Sequence, residues 1–110
     1  MNYLFVCTFN QQRSPTAEYV FRDILKTKKV YGNVKSAGID ESASVRATPE
    51  IIKWADRIYV MEQHHKDAIL KIDPKSKNKI KVLGIEDRYF RNDPILIRIF
   101  LSVIILLFIM

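Results

Sequence analysis

The residues best placed to do chemistry are Cys7 and Arg13, a thiol and a guanidinium separated by Thr8, Phe9, Asn10, Gln11 and Gln12, with Ser14 next in line. Successive backbone N–H groups of a tight loop that opens a helix form a cradle for an anion, and the positive end of the helix dipole adds to the attraction. The same field favours a thiolate over a thiol. The planar fork of an arginine can grip two phosphoryl oxygens at once, with a thiolate beneath them aimed at phosphorus for in-line attack. Asn10 suits such a loop because Asn enters the left-handed conformation at little cost. On residue types alone a second reading stands beside this one, in which Cys7 is an inert core thiol.

The elements around the loop are those that such a site needs. Asn2 to Val6 is a short apolar, aromatic run with the length of a buried parallel strand, and it delivers Cys7 at its end. Ser14 and Pro15 read as the cap and first residue of a helix in which Ala17, Val20, Phe21, Ile24 and Leu25 recur at helical spacing to about Lys28. Val34 to Ala37 is a second strand closed by Gly38, and Thr48-Pro49 repeats the cap-and-proline signature before a short helix. Arg57 to Met61 reads as a strand, Glu62 to Ile72 as a helix and Ile80 to Leu83 as the last strand. The loop Gly84 to Asn92 follows, and Pro94 opens a terminal helix. Strands alternating with helices predict an α/β fold: a three-layer sandwich, with a four-stranded parallel sheet and helices on both faces. Ligands of such sheets sit beyond the carboxyl ends of the strands, which is where the Cys7 loop falls.

The chain has 110 residues, 48% hydrophobic and 27% charged, enough for one core and one domain over 1–110 without disulfides or a structural metal. A single cysteine excludes the disulfide-stapled secreted scaffolds, and the N-terminus lacks the basic segment and long apolar run of a secretory leader; cytoplasm is the expected location. A net charge of +6 favours acidic partners, and the lysines between Lys66 and Lys81 read as a solvated face. Nucleic acid is disfavoured, since Tyr3, Tyr19, Tyr31, Tyr59 and Trp54 sit mostly in apolar runs and read as core. His64 and His65 are adjacent, so on a helix they diverge by about 100° and are not expected to chelate one metal. No metal or cofactor is called for. Residues 95–110 are the anomaly: apolar all round apart from Arg98 and Ser102, they predict a helix that is buried or covered at an interface. A membrane or a second copy of the chain would be a partner only through this tail.

The stretch LFVCTFNQQRSPTAE, with SAG at Ser36 to Gly38, TPEIIKWADRIYVME and the late Asp93-Pro94, resembles the low-molecular-weight protein tyrosine phosphatases, and most nearly a shorter branch of that family. The likeness runs as far as Pro94. It implies that Cys7 is the nucleophile, that Arg13 holds the phosphoryl group, and that Thr8, Phe9, Asn10, Gln11 and Gln12 complete the substrate cradle. Ser14 would donate a hydrogen bond to the thiolate, Asn10 and Ser36 would brace the loop, and Asp93 would be the general acid and then the general base. Asp93 also reads as the cap of the helix that follows it.

Two departures stand out. Gln12 replaces the second cysteine that many members carry beside the loop arginine, and Ile95 and Leu96 follow Asp93-Pro94 where aromatic residues are usual, with Tyr89 and Phe90 lying before it instead. The sequence thus reads as a metal-independent phosphatase acting on phosphotyrosine protein or a small phosphomonoester. Two other readings are a non-catalytic phosphate- or phosphoprotein-binding module, and a thiol-based arsenate reductase or phosphocysteine carrier on a similar fold. The reductase is disfavoured because its thiol cascade needs further cysteines.

Overall fold

Leu4 and Val6 turn to one side of the first strand, β1 (Asn2–Cys7), and Phe5 and Cys7 to the other, and all of them are buried. The computed structural model describes residues 1–109. It continues with α1 (Arg13–Thr27), β2 (Asn33–Gly38), α2 (Pro49–Trp54), β3 (Arg57–Val60) and α3 (Gln63–Ile72). A 3-10 helix (Pro74–Lys79), β4 (Ile80–Val82) and α4 (Pro94–Ile109) complete the chain. The strands pair in parallel in the order β2-β1-β3-β4. α1 and α4 cover one face around Phe5, Phe21, Tyr59, Leu96 and Phe100, and α2 and α3 cover the other around Leu4, Ile52, Val60 and Ile69. The result is the α/β sandwich that the alternation of elements predicts. Because β2 and β3 flank β1, the winding reverses there, and the crevice at the carboxyl end of β1 is the natural ligand position.

The caps differ in an informative way. Thr48 Oγ1 accepts the Ile51 N–H at 3.4 Å and Pro49 takes the first position of α2. The same signature misplaces the start of α1. That helix begins at Arg13, its cap residue is Gln12, and no side chain caps it, because the Ser14 hydroxyl is engaged elsewhere, as described below. The 3-10 helix after α3 has no apolar periodicity to announce it.

The terminal helix is half covered. Leu96, Phe100 and Ile104 are fully buried in the α1 side of the core, whereas Ile95, Leu101, Ile105 and Leu106 face outward. The tail read as buried or covered at an interface packs one apolar stripe into the core and leaves the opposite one exposed on the single chain, and Met110 lies outside the described residues. No helix among the described residues is long and apolar enough to cross a membrane. Tyr3 and Tyr59 pack in the core, but Tyr19 and Tyr31 are exposed, since their positions on and after α1 point away from the sheet.

Candidate active site

Cys7, 3% exposed, ends β1 with its Sγ 3.2 Å from the Asn10 N–H that it accepts and 2.9 Å from Ser14 Oγ. Asn10 stands at φ 55°, in the left-handed region, and this folds the loop back over the sulfur. The Asn10 side chain fixes that turn by donating to Ser14 Oγ at 3.0 Å and Ser36 Oγ at 2.8 Å. Ser36 in turn donates to Glu18 on α1 at 2.5 Å. Ser36 and Asn10 therefore join β2, the loop and α1 in one buried chain of hydrogen bonds.

The carbonyls of Cys7, Thr8 and Phe9 have partners on the loop's outer side. Ile39 N–H donates to Cys7 O at 3.1 Å, Asp40 N–H to Thr8 O at 3.0 Å and Ser44 N–H to Phe9 O at 3.1 Å. Among the described residues no acceptor takes the amides of Phe9, Gln11 or Gln12. A peptide ring with its oxygens committed outward presents its N–H groups inward, which is the arrangement an anion requires. Gly38 permits the close approach: a Cβ there would lie 2.6 Å from Thr8 O and 2.9 Å from Asn10 N.

Arg13 is buried, at 2% exposure, and held from behind. Its Nη1 donates to Glu62 Oε2 at 2.6 Å and to Ile85 O at 2.7 Å, while its Nε lies 3.8 Å from Asp87 Oδ1. With Nη1 occupied, the Nε and Nη2 edge is left to grip a pair of phosphoryl oxygens. The guanidinium holds the Glu62 carboxyl below its usual range, so the pair is ionised at neutral pH. The fully buried His65 accepts the Glu62 N–H at Nδ1, 2.9 Å away, and its Nε2 lies 3.0 Å from Thr8 Oγ1. Burial, with the nearby His64 and Arg13 charges, pushes its pKa down to about 4.

A cavity of about 200 Å³ opens over this cluster, lined by Cys7, Thr8, Phe9, Gln11, Gln12, Arg13 and Asp87. Asp93 does not line it. The Asp93 carboxylate accepts the Ile95 N–H at 2.8 Å, and its carbonyl accepts the Ile97 N–H at 2.9 Å, so the residue caps α4. The segment between β4 and α4 is strapped to the start of α1: Ile85 O to Arg13, Arg91 N–H to the Gln12 side chain, and Asn92 N–H to Thr16 Oγ1 at 2.9 Å. Asp87 lies between those anchors, and Tyr89 and Phe90 extend a shallow depression from Gln12 and Asp87. The aromatic side chains missing after Asp93-Pro94 are thus supplied before it, next to Asp87.

The structure brings Cys7, Thr8, Phe9, Asn10, Gln11, Gln12, Arg13, Ser14 and Ser36 together, leaves Asp93 outside, and adds Asp87 and Glu62, which sequence reasoning passed over, and His65, which it weighed only as a metal ligand. One signal could have found the three: Glu62 and His65 follow β3 and Asp87 follows β4, at the ligand-bearing edge of a parallel sheet. The geometry of the paired histidines is also corrected. Their rings lie 4.1 Å apart, and ligand atoms of Glu62, His64 and His65 fall within 4.8 Å of one another. The His65 ring folds back onto the N–H of Glu62 instead of projecting radially. Both of its nitrogens are thereby taken by protein groups.

Known proteins resemble this chain in sequence and fold. The family described as low molecular weight phosphotyrosine protein phosphatase matches residues 2–57. A protein-arginine-phosphatase of Bacillus subtilis (strain 168) is 30% identical over 105 residues, spanning 76% of this chain and 70% of that protein. A crystal structure of a YwlE mutant from Bacillus subtilis superposes with a TM-score of 0.78 at 25% identity, covering 97% of this chain and 93% of that one. The solution structure of a low molecular weight protein tyrosine phosphatase from Bacillus subtilis gives 0.69 at 28% identity, over 76% and 70% of the two chains. With the matched segment holding the strand, the cradle and the whole of α1, the chain belongs to the low molecular weight phosphotyrosine protein phosphatase family.

Proposed function

We propose that this chain hydrolyses phosphotyrosine in proteins through a cysteinyl-phosphate intermediate. The observation that carries the reading is the surrounding of Cys7 Sγ, with the Asn10 amide and the Ser14 hydroxyl on the sulfur and Arg13 beside it on one cavity. A thiolate there accepts from both the Asn10 N–H and the Ser14 hydroxyl. The thiolate attacks phosphorus, forming the S–P bond as the bond to the tyrosyl oxygen breaks. Asp87 delivers its proton to that departing oxygen. Water then attacks the phosphocysteine, Asp87 takes the water's proton, and S–P cleavage returns the thiolate and releases inorganic phosphate. The inward amides and the Nε and Nη2 edge of Arg13 stabilise charge on the transferring group, so no step calls on a metal. Phe9, Tyr89 and Phe90 give an aryl leaving group apolar surface to lie against.

A second substrate has a specific basis. One relative is a protein-arginine-phosphatase, and a carboxyl group at the cavity wall can, as carboxylate, pair with the guanidinium of a phosphoarginine as readily as, in its acid form, it protonates a departing phenolate. Side-by-side hydrolysis of a phosphotyrosine peptide and a phosphoarginine peptide separates the two. The expected result is turnover of the phosphotyrosine peptide without added metal, and complete loss of turnover in Cys7→Ser. Faster release from phosphoarginine would reassign the substrate. Undiminished activity in Cys7→Ser would end the covalent mechanism, and phosphate binding without any hydrolysis would favour a binding module.

A further inference from the structure

His65 is a fully buried titratable group for which the chemistry above has no use. Its two hydrogen bonds define its protonation. The Glu62 backbone N–H can only donate, so Nδ1, 2.9 Å away, must be unprotonated and accepting. A neutral ring with a bare Nδ1 carries its proton on Nε2. Nε2 lies 3.0 Å from Thr8 Oγ1, so the imidazole donates and the threonine hydroxyl accepts. Burial keeps the ring neutral, in agreement with this geometry. The Thr8 hydroxyl has a proton of its own, which cannot return to the ring that is already donating to it. Among the described residues His65 is the one protein partner of that hydroxyl, and Thr8 lines the cavity beside Cys7 and Arg13.

We propose that His65 is a positioning residue for this site: its Nε2–H donates to Thr8 Oγ1 and thereby commits the Thr8 hydroxyl proton to an oxygen of the phosphoryl group held in the cavity. Thr8 then adds a side-chain donor to the main-chain cradle in the cavity that Cys7 also lines. The same small network reaches both ends of the loop. His65 orients Thr8 at the start, and Glu62, whose N–H sets the His65 tautomer, anchors Arg13 at the finish through its carboxylate. The loop is thus held by α1 and β2 on one side and by the first turn of α3 on the other.

The inference rests on the phosphatase reading for its effect on turnover but not for its effect on binding, and the two are measured separately. In the full chain, the ¹⁵N spectrum of the His65 ring is expected to show the neutral Nε2–H tautomer. Thr8→Val, isosteric but without the hydroxyl, should weaken binding of inorganic phosphate and lower kcat/KM on a chromogenic aryl phosphate by about 10- to 100-fold, the usual worth of a hydrogen bond to a charged group. Thr8→Ser should restore both. His65→Phe should weaken phosphate binding in the wild-type background and have little further effect in the Thr8→Val background, because the ring acts through the hydroxyl. An Nδ1–H tautomer or an imidazolium at neutral pH overturns the proposal, and so does a Thr8→Val protein that binds phosphate like wild type. The tautomer is read on the wild-type chain and does not depend on a variant folding. If the wild type hydrolyses no ester, the catalytic reading falls, and the phosphate-binding comparison still decides this one.

Discussion

The Asp93 carboxylate accepts the Ile95 N–H at 2.8 Å at the head of α4, whereas the Asp87 carboxylate stands 3.8 Å from Arg13 Nε on the cavity wall. A carboxylate that must shuttle a proton needs access to both substrate and water, and Asp87, exposed on its loop, has it. Replacing Asp87 by Asn should slow turnover by roughly 10²- to 10⁴-fold, the range for a lost general acid, with little change in the urea midpoint. Asp93→Ala should do the reverse, costing about 0.5–2 kcal/mol of stability as a lost cap while kcat stays near wild type. Steady-state kinetics and urea unfolding on both variants test this division, and a large kcat loss confined to Asp93→Ala would reverse it. The sequence points to Asp93 because an aspartate before proline carries two meanings, a cap and a family landmark. Only the path of the segment from Gly84 to Asn92 separates them. That path is set by bonds from Arg13, Gln12 and Thr16 that no spacing rule foretells.

The close passage of β2 past the phosphate loop depends on one missing side chain. Gly38 lets Ile39, Asp40 and Ser44 reach the loop's carbonyls, and a Cβ at that position would press on the backbone at Thr8 O and Asn10 N. Backbone cannot swing aside as the tip of a side chain can. Gly38→Ala should therefore cost about 1–3 kcal/mol in urea unfolding, as overpacking usually does, and weaken phosphate binding besides. An alanine variant with both properties intact would show that the loop tolerates the displacement. Much of this level was legible beforehand: strands read from short apolar runs, α2 from Thr48 and Pro49, and the left-handed turn from Asn10. The start of α1 was not, since Ser14 forgoes the helix amides for the sulfur, and a hydroxyl's choice between two neighbouring partners is made by tertiary placement.

Across the whole molecule, two cores pack on the two faces of one sheet, and His65 couples the α3 side to the site. Its pKa falls from an ordinary 6.5 to about 4 on folding, chiefly because burial disfavours the charged ring. Between those values the unfolded chain binds more protons than the folded one, so this contribution to stability is complete above about pH 6.5 and declines as the pH falls toward 4. Urea unfolding at pH 7 and pH 5 should show a loss for the wild type that is smaller in His65→Gln, and equal losses would refute the assignment. The alternation of strand and helix patterns predicted the class of fold, but not that α4 would pack one apolar stripe and leave its opposite open, because a helix apolar all round gives no sign of which face will be covered. The outward tethering of the Cys7, Thr8 and Phe9 carbonyls makes the ring a product of folding, complete before any guest arrives. Association then owes little entropy to loop closure. Such a rigid receptor sorts its guests by tetrahedral shape and charge, and liberated orthophosphate departs against the same contacts that drew the ester in.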